Sequence, residues 1–200
     1  MNIPSIDPDK MSIKVDLVQS LYSIIDELGK QNIQKDLVSS DLQASRKYLQ
    51  IIMDTCLSRL QNTSKIEIAD NLVLDLCEAL LHFMLTASTL PSARKTEVNK
   101  KLKIDLAIPN VRCLMKNPQK ALVIAIIREP ENIKKISQLK SIQPEIDNIW
   151  LISARPLQIP HLRNYSVFQG GSSKRLCDII IDIKKFLRKS GDKSIRFVYS

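Results

Sequence analysis

The sequence predicts an α/β protein in which a central mixed sheet is flanked by helices and preceded by an N-terminal helical hairpin. Three observations carry that expectation. Apolar runs too short for helices occur at residues 102–108, 121–128 and 148–153, as strands buried on both faces require. Stretches with apolar residues at helical spacing lie before, between and after them. With 44% hydrophobic residues in a chain of 200, there is enough apolar surface for a substantial core.

Residues 1–10 are polar, with two prolines and two aspartates, and read as a loose tail. A helix over 11–31 follows, with Leu17, Leu21, Ile24 and Ile25 among its apolar positions and Gly29 near its end. A second helix over 40–61 places Leu49, Ile52, Met53 and Cys56 on one side, with Ser40 or Asp41 as the cap. Asn62, Thr63 and Ser64 form a break, which divides a 1–62 hairpin or appendage from a 63–200 α/β domain.

A third helix spans 66–81, and residues 82–87 either extend it or form a first strand. Residues 90–101 are polar and contain Pro91, so they read as a basic loop. Strands follow at 102–108 and 121–128, joined by a polar loop at 115–120. Pro130 and Glu131 open a helix to about 142. A buried strand at 148–153 precedes an amphipathic helix that starts at Ser172 or Ser173, buries Ile179, Ile180, Ile183 and Leu187, and ends at Gly191. Residues 194–199 close the chain as a strand. The predicted order of the second half is therefore helix, strand, strand, strand, helix, strand, helix, strand.

The net charge is +9, but residues 1–64 contribute −1 (7 Lys/Arg against 8 Asp/Glu) and residues 65–200 contribute +10 (23 against 13). Such asymmetry points to a polyanionic partner for the second half, or to solvated lysine faces. The four cysteines, Cys56, Cys77, Cys113 and Cys177, are far apart in apolar contexts, no Cys-x-x-Cys occurs, and His82 and His161 are isolated from each other. Buried reduced thiols are expected rather than a zinc site. The longest uncharged apolar run, 121–127, falls well short of a membrane span. The chain also opens without an apolar signal segment, and the expectation is a soluble cytoplasmic or nuclear protein. Its four glycines make neither a Gly-x-Gly-x-x-Gly nor a P-loop.

The element order, together with Lys103-Ile104-Asp105-Leu106 and the apolar lead Ala121-Leu122-Val123-Ile124, resembles the PD-(D/E)XK, restriction-endonuclease-like nuclease superfamily over about residues 65–200. The resemblance implies that Asp105 is the family's second-strand aspartate. It also implies a Glu-x-Lys or Asp-x-Lys on the third strand, where two carboxylates hold a divalent ion. Here those positions read Ala125-Ile126-Ile127. A one-residue slip to Ile126-Ile127-Arg128 recovers a cation but no acid. The family's helix acid falls on Glu67, Asp70 or Glu78.

The expected function is nucleic-acid binding through a nuclease-like domain that has lost cleavage, as part of a DNA- or RNA-processing assembly. No cofactor or metal is expected in that case. One alternative is a Mg²⁺-dependent nuclease using Asp105 with migrated Glu129, Glu131 and Lys134, which otherwise read as first-turn helix residues. Asp105 otherwise reads as a strand-end acid paired with Lys103 or an arginine. The other alternative is a protein-interaction module that docks a partner or a second copy through the N-terminal helices. Candidate phosphate contacts are Arg94, Lys95, Lys100, Lys101 and Lys103 before and on the Asp105 strand. Lys174 and Arg175 join them beside the Gly-Gly-Ser-Ser turn, which is expected to start a helix. Trp150 reads as core, and with only 4% aromatics base stacking has little to draw on.

Overall fold

The computed structural model describes residues 8–39, 41–64, 68–98, 102–128, 133–170 and 173–191. Four helices come first: α1 (Pro8–Leu28), α2 (Lys30–Val38), α3 (Leu42–Ser64) and α4 (Asp70–Ala87). Then follow β1 (Ala93–Val98), β2 (Leu102–Ile108), α5 (Val111–Lys116), β3 (Leu122–Ile126), α6 (Ile133–Ile142), β4 (Ile149–Ser153), β5 (Arg163–Ser166), β6 (Lys174–Arg175) and α7 (Ile179–Lys189).

The six strands form one sheet in the order β1-β2-β3-β4-β5-β6. The first three are antiparallel to one another, and β3 through β6 run parallel. The sheet is thus mixed, as expected. Side chains alternate across β3 with period two. Leu122, Ile124 and Ile126 pack in a core shared with α1, α3, α4 and α7, whereas Val123, Ala125 and Ile127 pack in a second core with Leu114 of α5 and Ile136 and Leu139 of α6. Both faces are covered, which is why the strands read as unbroken apolar runs.

Several elements differ from the sequence reading. The N-terminal segment holds three helices instead of two. Gly29, at φ 81, ends the first helix about where the sequence placed its end, its left-handed backbone suiting a residue without a Cβ, and the unanticipated helix is the one that follows at Lys30–Val38. These helices supply Leu17, Ile25, Ile33, Leu49 and Ile52 to the same core as the sheet. Residues 82–87 extend α4. The polar 90–101 segment is not simply a loop, because Ala93–Val98 pairs with β2 over Ala93↔Ala107 to Val98↔Leu102. Its alternation is masked because the less exposed positions carry the polar Arg94 and Thr96 opposite the exposed Lys95 and Glu97. The 115–120 loop contains the end of α5 and a 3-10 turn at Pro118–Lys120.

Strand β5 was not anticipated. Its sequence, Arg-Asn-Tyr-Ser, is polar, but Asn164 and Ser166 are buried with their side chains hydrogen-bonded, Ser153 Oγ donating to Asn164 Oδ1 at 3.0 Å. The last helix starts at Ile179 and not at Ser172 or Ser173. Lys174 and Arg175 are on β6 and not in a first helical turn. The expected closing strand at 194–199 lies outside the described residues.

Helix α7 is strongly amphipathic, with one departure. Lys184 is buried on its apolar face, where its ammonium donates to the Leu37 carbonyl at the C-terminal end of α2 at 2.8 Å. A cation there complements the negative end of the α2 dipole. All four cysteines are free, with Cys113 half-buried and the others buried. Burial pushes the Cys56 thiol up to about 11, which suits an unreactive core thiol.

Candidate functional site

Asp105 sits where β2 changes sides. Leu102 and Ile104 pack in the second core, but Leu106 and Ile108 pack in the first. A strictly alternating strand would put all four on one face. On the paired strand, Arg94 opposes Leu106 and Thr96 opposes Ile104. Between them Lys95 takes a left-handed φ of 43, uncommon for a non-glycine residue. The kink turns the half-buried Asp105 carboxylate along the sheet, where its Oδ2 accepts the Ile126 amide at 2.9 Å. The β2–β3 ladder is last paired at Leu106↔Ile124, so this side-chain bond continues it by one step.

Two residues beyond Ile126, period two brings Arg128 out on the α4 side of the sheet. Its Nη2 contacts both Glu78 Oε2 and, at 3.2 Å, Asp75 Oδ1. Asp75 and Glu78 are three residues apart on α4 and share a face. Glu78 also receives Lys95 Nζ at 2.9 Å and Arg94 Nη2 at 3.3 Å on its other oxygen. Its side chain is only 9% exposed. Asp75, Glu78, Arg94 and Lys95 line a cavity of about 150 Å³ closed by Leu17, Val18 and Leu21 of α1.

Burial alone would push the Glu78 carboxyl up, but the hydrogen bonds from Lys95 and Arg128 outweigh it and hold it below its ordinary 4.5. Asp182, tied to Lys174 Nζ and Tyr165 Oη at 2.7 Å each, is likewise held below its ordinary 3.8 against its own burial. A carboxyl with a lowered folded-state pKa binds its proton less readily when folded than when unfolded. Its stabilising contribution is therefore full above about pH 4.5 and is lost as pH falls through the lowered value. The melting temperature is expected to drop on the acid side of pH 4.5, and Glu78→Gln should flatten that limb. An unchanged acid limb in Glu78→Gln would show that Glu78 does not contribute to it.

The predicted residues divide into three groups. Asp105, Arg94 and Lys95 converge on neighbouring strands, but Arg94 and Lys95 are committed to Glu78 and do not stand free. Lys103 is largely exposed and pairs loosely with Glu97 at 3.5 Å, while Asp105, expected at a strand end or beside Lys103 or an arginine, accepts the Ile126 amide. Lys174 pairs with Asp182 and covers the Tyr165 ring, while Arg175 is exposed beside Gln169.

Glu129, Glu131, Lys100 and Lys101 lie outside the described residues, as does Glu67. Lys134 is in the first turn of α6 and its side chain lies outside the described ones. Asp70 pairs with Arg155 at 3.2 Å, and among the described helix acids it is Glu78, with Asp75, that meets Arg128 at the end of the third strand. Ala125 and Ile127, where a ligand and a lysine would stand, are buried in the second core.

A divalent ion needs several oxygen ligands not already satisfied by cations. Among the described residues no three His, Cys, Asp or Glu side chains gather as a metal site requires. The described donors fit the ion poorly, because both Glu78 oxygens are taken by cations and Asp105 Oδ2 accepts a backbone amide. What sequence reasoning missed was Asp75 and the role of Arg128. The available signal was two acids three residues apart in an otherwise apolar helix, facing a cation at the end of an apolar strand.

No protein-family model and no curated protein matches the sequence. Among solved structures, restriction endonuclease PspGI in complex with its substrate DNA superposes with a TM-score of 0.60 at 13% identity, covering 86% of this chain and 93% of that one. Metal-depleted Ecl18kI with uncleaved, modified DNA gives 0.55 at 11% identity over 92% of this chain and 86% of that one. The same enzyme with uncleaved DNA gives 0.50 at 11%, over 95% and 88%. The chain therefore has a restriction-endonuclease-like fold. Residues 65–200 are 68% of the chain, so a coverage of 86% or more takes in part of the N-terminal helices as well.

Proposed function

We propose that this chain binds nucleic acid through a restriction-endonuclease-like domain in which ion pairs replace cleavage chemistry. The observation that carries the reading is Arg128 clamped on Asp75 and Glu78, beside a strand whose metal-ligand positions are the core residues Ala125 and Ile127. A guanidinium bridging two carboxylates does electrostatically what a divalent cation would do, and leaves no open position for a water nucleophile. The likeness to two endonucleases solved with DNA and the +10 balance of residues 65–200 support nucleic acid as the partner.

Phosphate contacts fall to the exposed Lys103 and Arg175, with Lys100 and Lys101 beside Lys103 in sequence; Arg94, Lys95 and Lys174 are held in place by carboxylates. The protein acts within a larger DNA- or RNA-processing assembly in the cytoplasm or nucleus. A protein partner or a second copy would dock on the N-terminal helices.

Fluorescence anisotropy on a short duplex should show binding whose log affinity falls linearly with log salt, and Lys103→Ala and Arg175→Ala should each reduce the slope by about one. Plasmid DNA should stay intact with Mg²⁺. Metal-dependent cleavage abolished by Asp105→Ala would overturn the loss of chemistry and point to Glu129, Glu131 and Lys134. Absence of binding at low salt would favour the protein-interaction alternative.

A further inference from the structure

Most cations of the sheet, on β1, β2, β6 and at the end of β3, are neutralised by carboxylates, but one group beyond it is not. Arg112 and Lys116 stand four residues apart on α5 and so share a face, and Lys120 ends the 3-10 turn that follows. Among the described residues none of the three has a carboxylate partner. They border a cavity of about 370 Å³ that Asn110 and Asn117 also line, with Ser190 and Gly191 at the end of α7 as its other wall. Among the described residues that line it there is no acidic side chain. Like charges held at this spacing are unfavourable unless an anion settles among them. The cavity exceeds the space a lone chloride or carboxylate fills, and it falls in the size range of small-ligand sites.

Its place in the fold separates it from the Asp105 cluster. It opens at the end of the sheet where Ile108 pairs with Leu122, whereas Arg128 emerges at the opposite end of β3. Asp105 and Pro109 are four residues apart, which is about 13 Å along an extended strand.

We infer that Arg112, Lys116 and Lys120 form a binding site for clustered phosphate groups, separate from the Asp105–Arg128 cluster. Arginine contributes a planar fork for two phosphate oxygens, and the two lysines supply point charges for the others. The phosphates belong either to a small diphosphate-bearing molecule or to adjacent positions of a nucleic-acid backbone.

Calorimetric titration of the full chain at low ionic strength tests this, with inorganic pyrophosphate in one arm and a short DNA duplex in the other. The variants are Arg112→Ala/Lys116→Ala and Lys120→Ala, with exposed Lys47→Ala on α3 as the control. All the altered side chains are exposed, so the melting temperature should stay constant. Affinity is expected to fall roughly tenfold or more in the double variant and to hold in the control. Pyrophosphate binding lost in this way assigns the site to a small ligand, and duplex binding alone lost in this way assigns it to a backbone. The inference is overturned if neither probe binds, or if both bind the pocket variants as tightly as the parent. Pyrophosphate binding that the double variant loses, without duplex binding, would uphold the site while overturning the nucleic-acid reading.

Discussion

Arg128→Ala will lower the unfolding free energy by about 3 kcal/mol, because it removes the cation shared by Asp75 and the nearly buried Glu78. The loss comes less from the missing attraction than from Glu78 Oε2 left without its cation on a nearly buried side chain, while Lys95 and Arg94 still hold the other oxygen. Urea unfolding should show a lower midpoint with an unchanged slope. Arg128→Lys should recover only part of the loss, since one ammonium lacks the flat fork that reaches two carboxylates. Arg128→Ala combined with Glu78→Gln should cost less than the sum of the two, because the carboxylate that Arg128 would leave under-compensated is gone as well. A single-variant loss of only about 0.5 kcal/mol would class the cluster with ordinary surface pairs and weaken its reading as a built replacement for a metal.

Trp150→Ala is expected to cost about 3–5 kcal/mol, a large part of the stability of a domain this size. Trp150 is 2% exposed, and its Nε1 donates to the Asp147 carbonyl at 2.9 Å. Its ring meets Tyr165 at 5.4 Å and Phe186 at 6.3 Å, and the Arg163 guanidinium lies 4.6 Å from its centroid. It therefore ties β4 to β5 and α7 at once, while its backbone pairs with Ile124 of β3. Trp150→Phe keeps an aromatic face but loses the indole donor, and should cost about half as much. Thermal unfolding of both variants checks the order. A loss below about 1 kcal/mol in Trp150→Ala would mean that the neighbouring rings close the cavity, and that this junction is less rigid than its packing indicates.

The strands differ in how far their residues announce them. Strand β3 is plain in the sequence, because both of its faces are buried and a short unbroken apolar run between polar turns suits a buried strand. Strands β1 and β5 are not. Ala-Arg-Lys-Thr-Glu-Val and Arg-Asn-Tyr-Ser take their extended form from pairing with β2 and β4, and from hydrogen bonds such as Ser153 to Asn164 that sequence does not display. The Gly-Gly-Ser-Ser turn carries a plausible helix-start signal, yet local capping chemistry loses to the pairing of Lys174 and Arg175 with Tyr165 and Ser166.

The candidate site divides in the same way. From the sequence alone came the sheet covered on both faces, the place of Asp105 on its second strand, and the absence of a Glu-x-Lys on its third. These depend on which residue types recur at a spacing of two or four, and such patterns are local. Only the tertiary structure decided that Arg128 would be held by Glu78 and Asp75, that Asp105 would accept the Ile126 amide, and that Arg112, Lys116 and Lys120 would line one cavity with no acid among its described residues. Residues 78 and 128 are 50 positions apart in the chain. Which cation reaches which carboxylate depends on the face each strand residue takes and on how α4 lies across the sheet, and charge has no period from which that could be read.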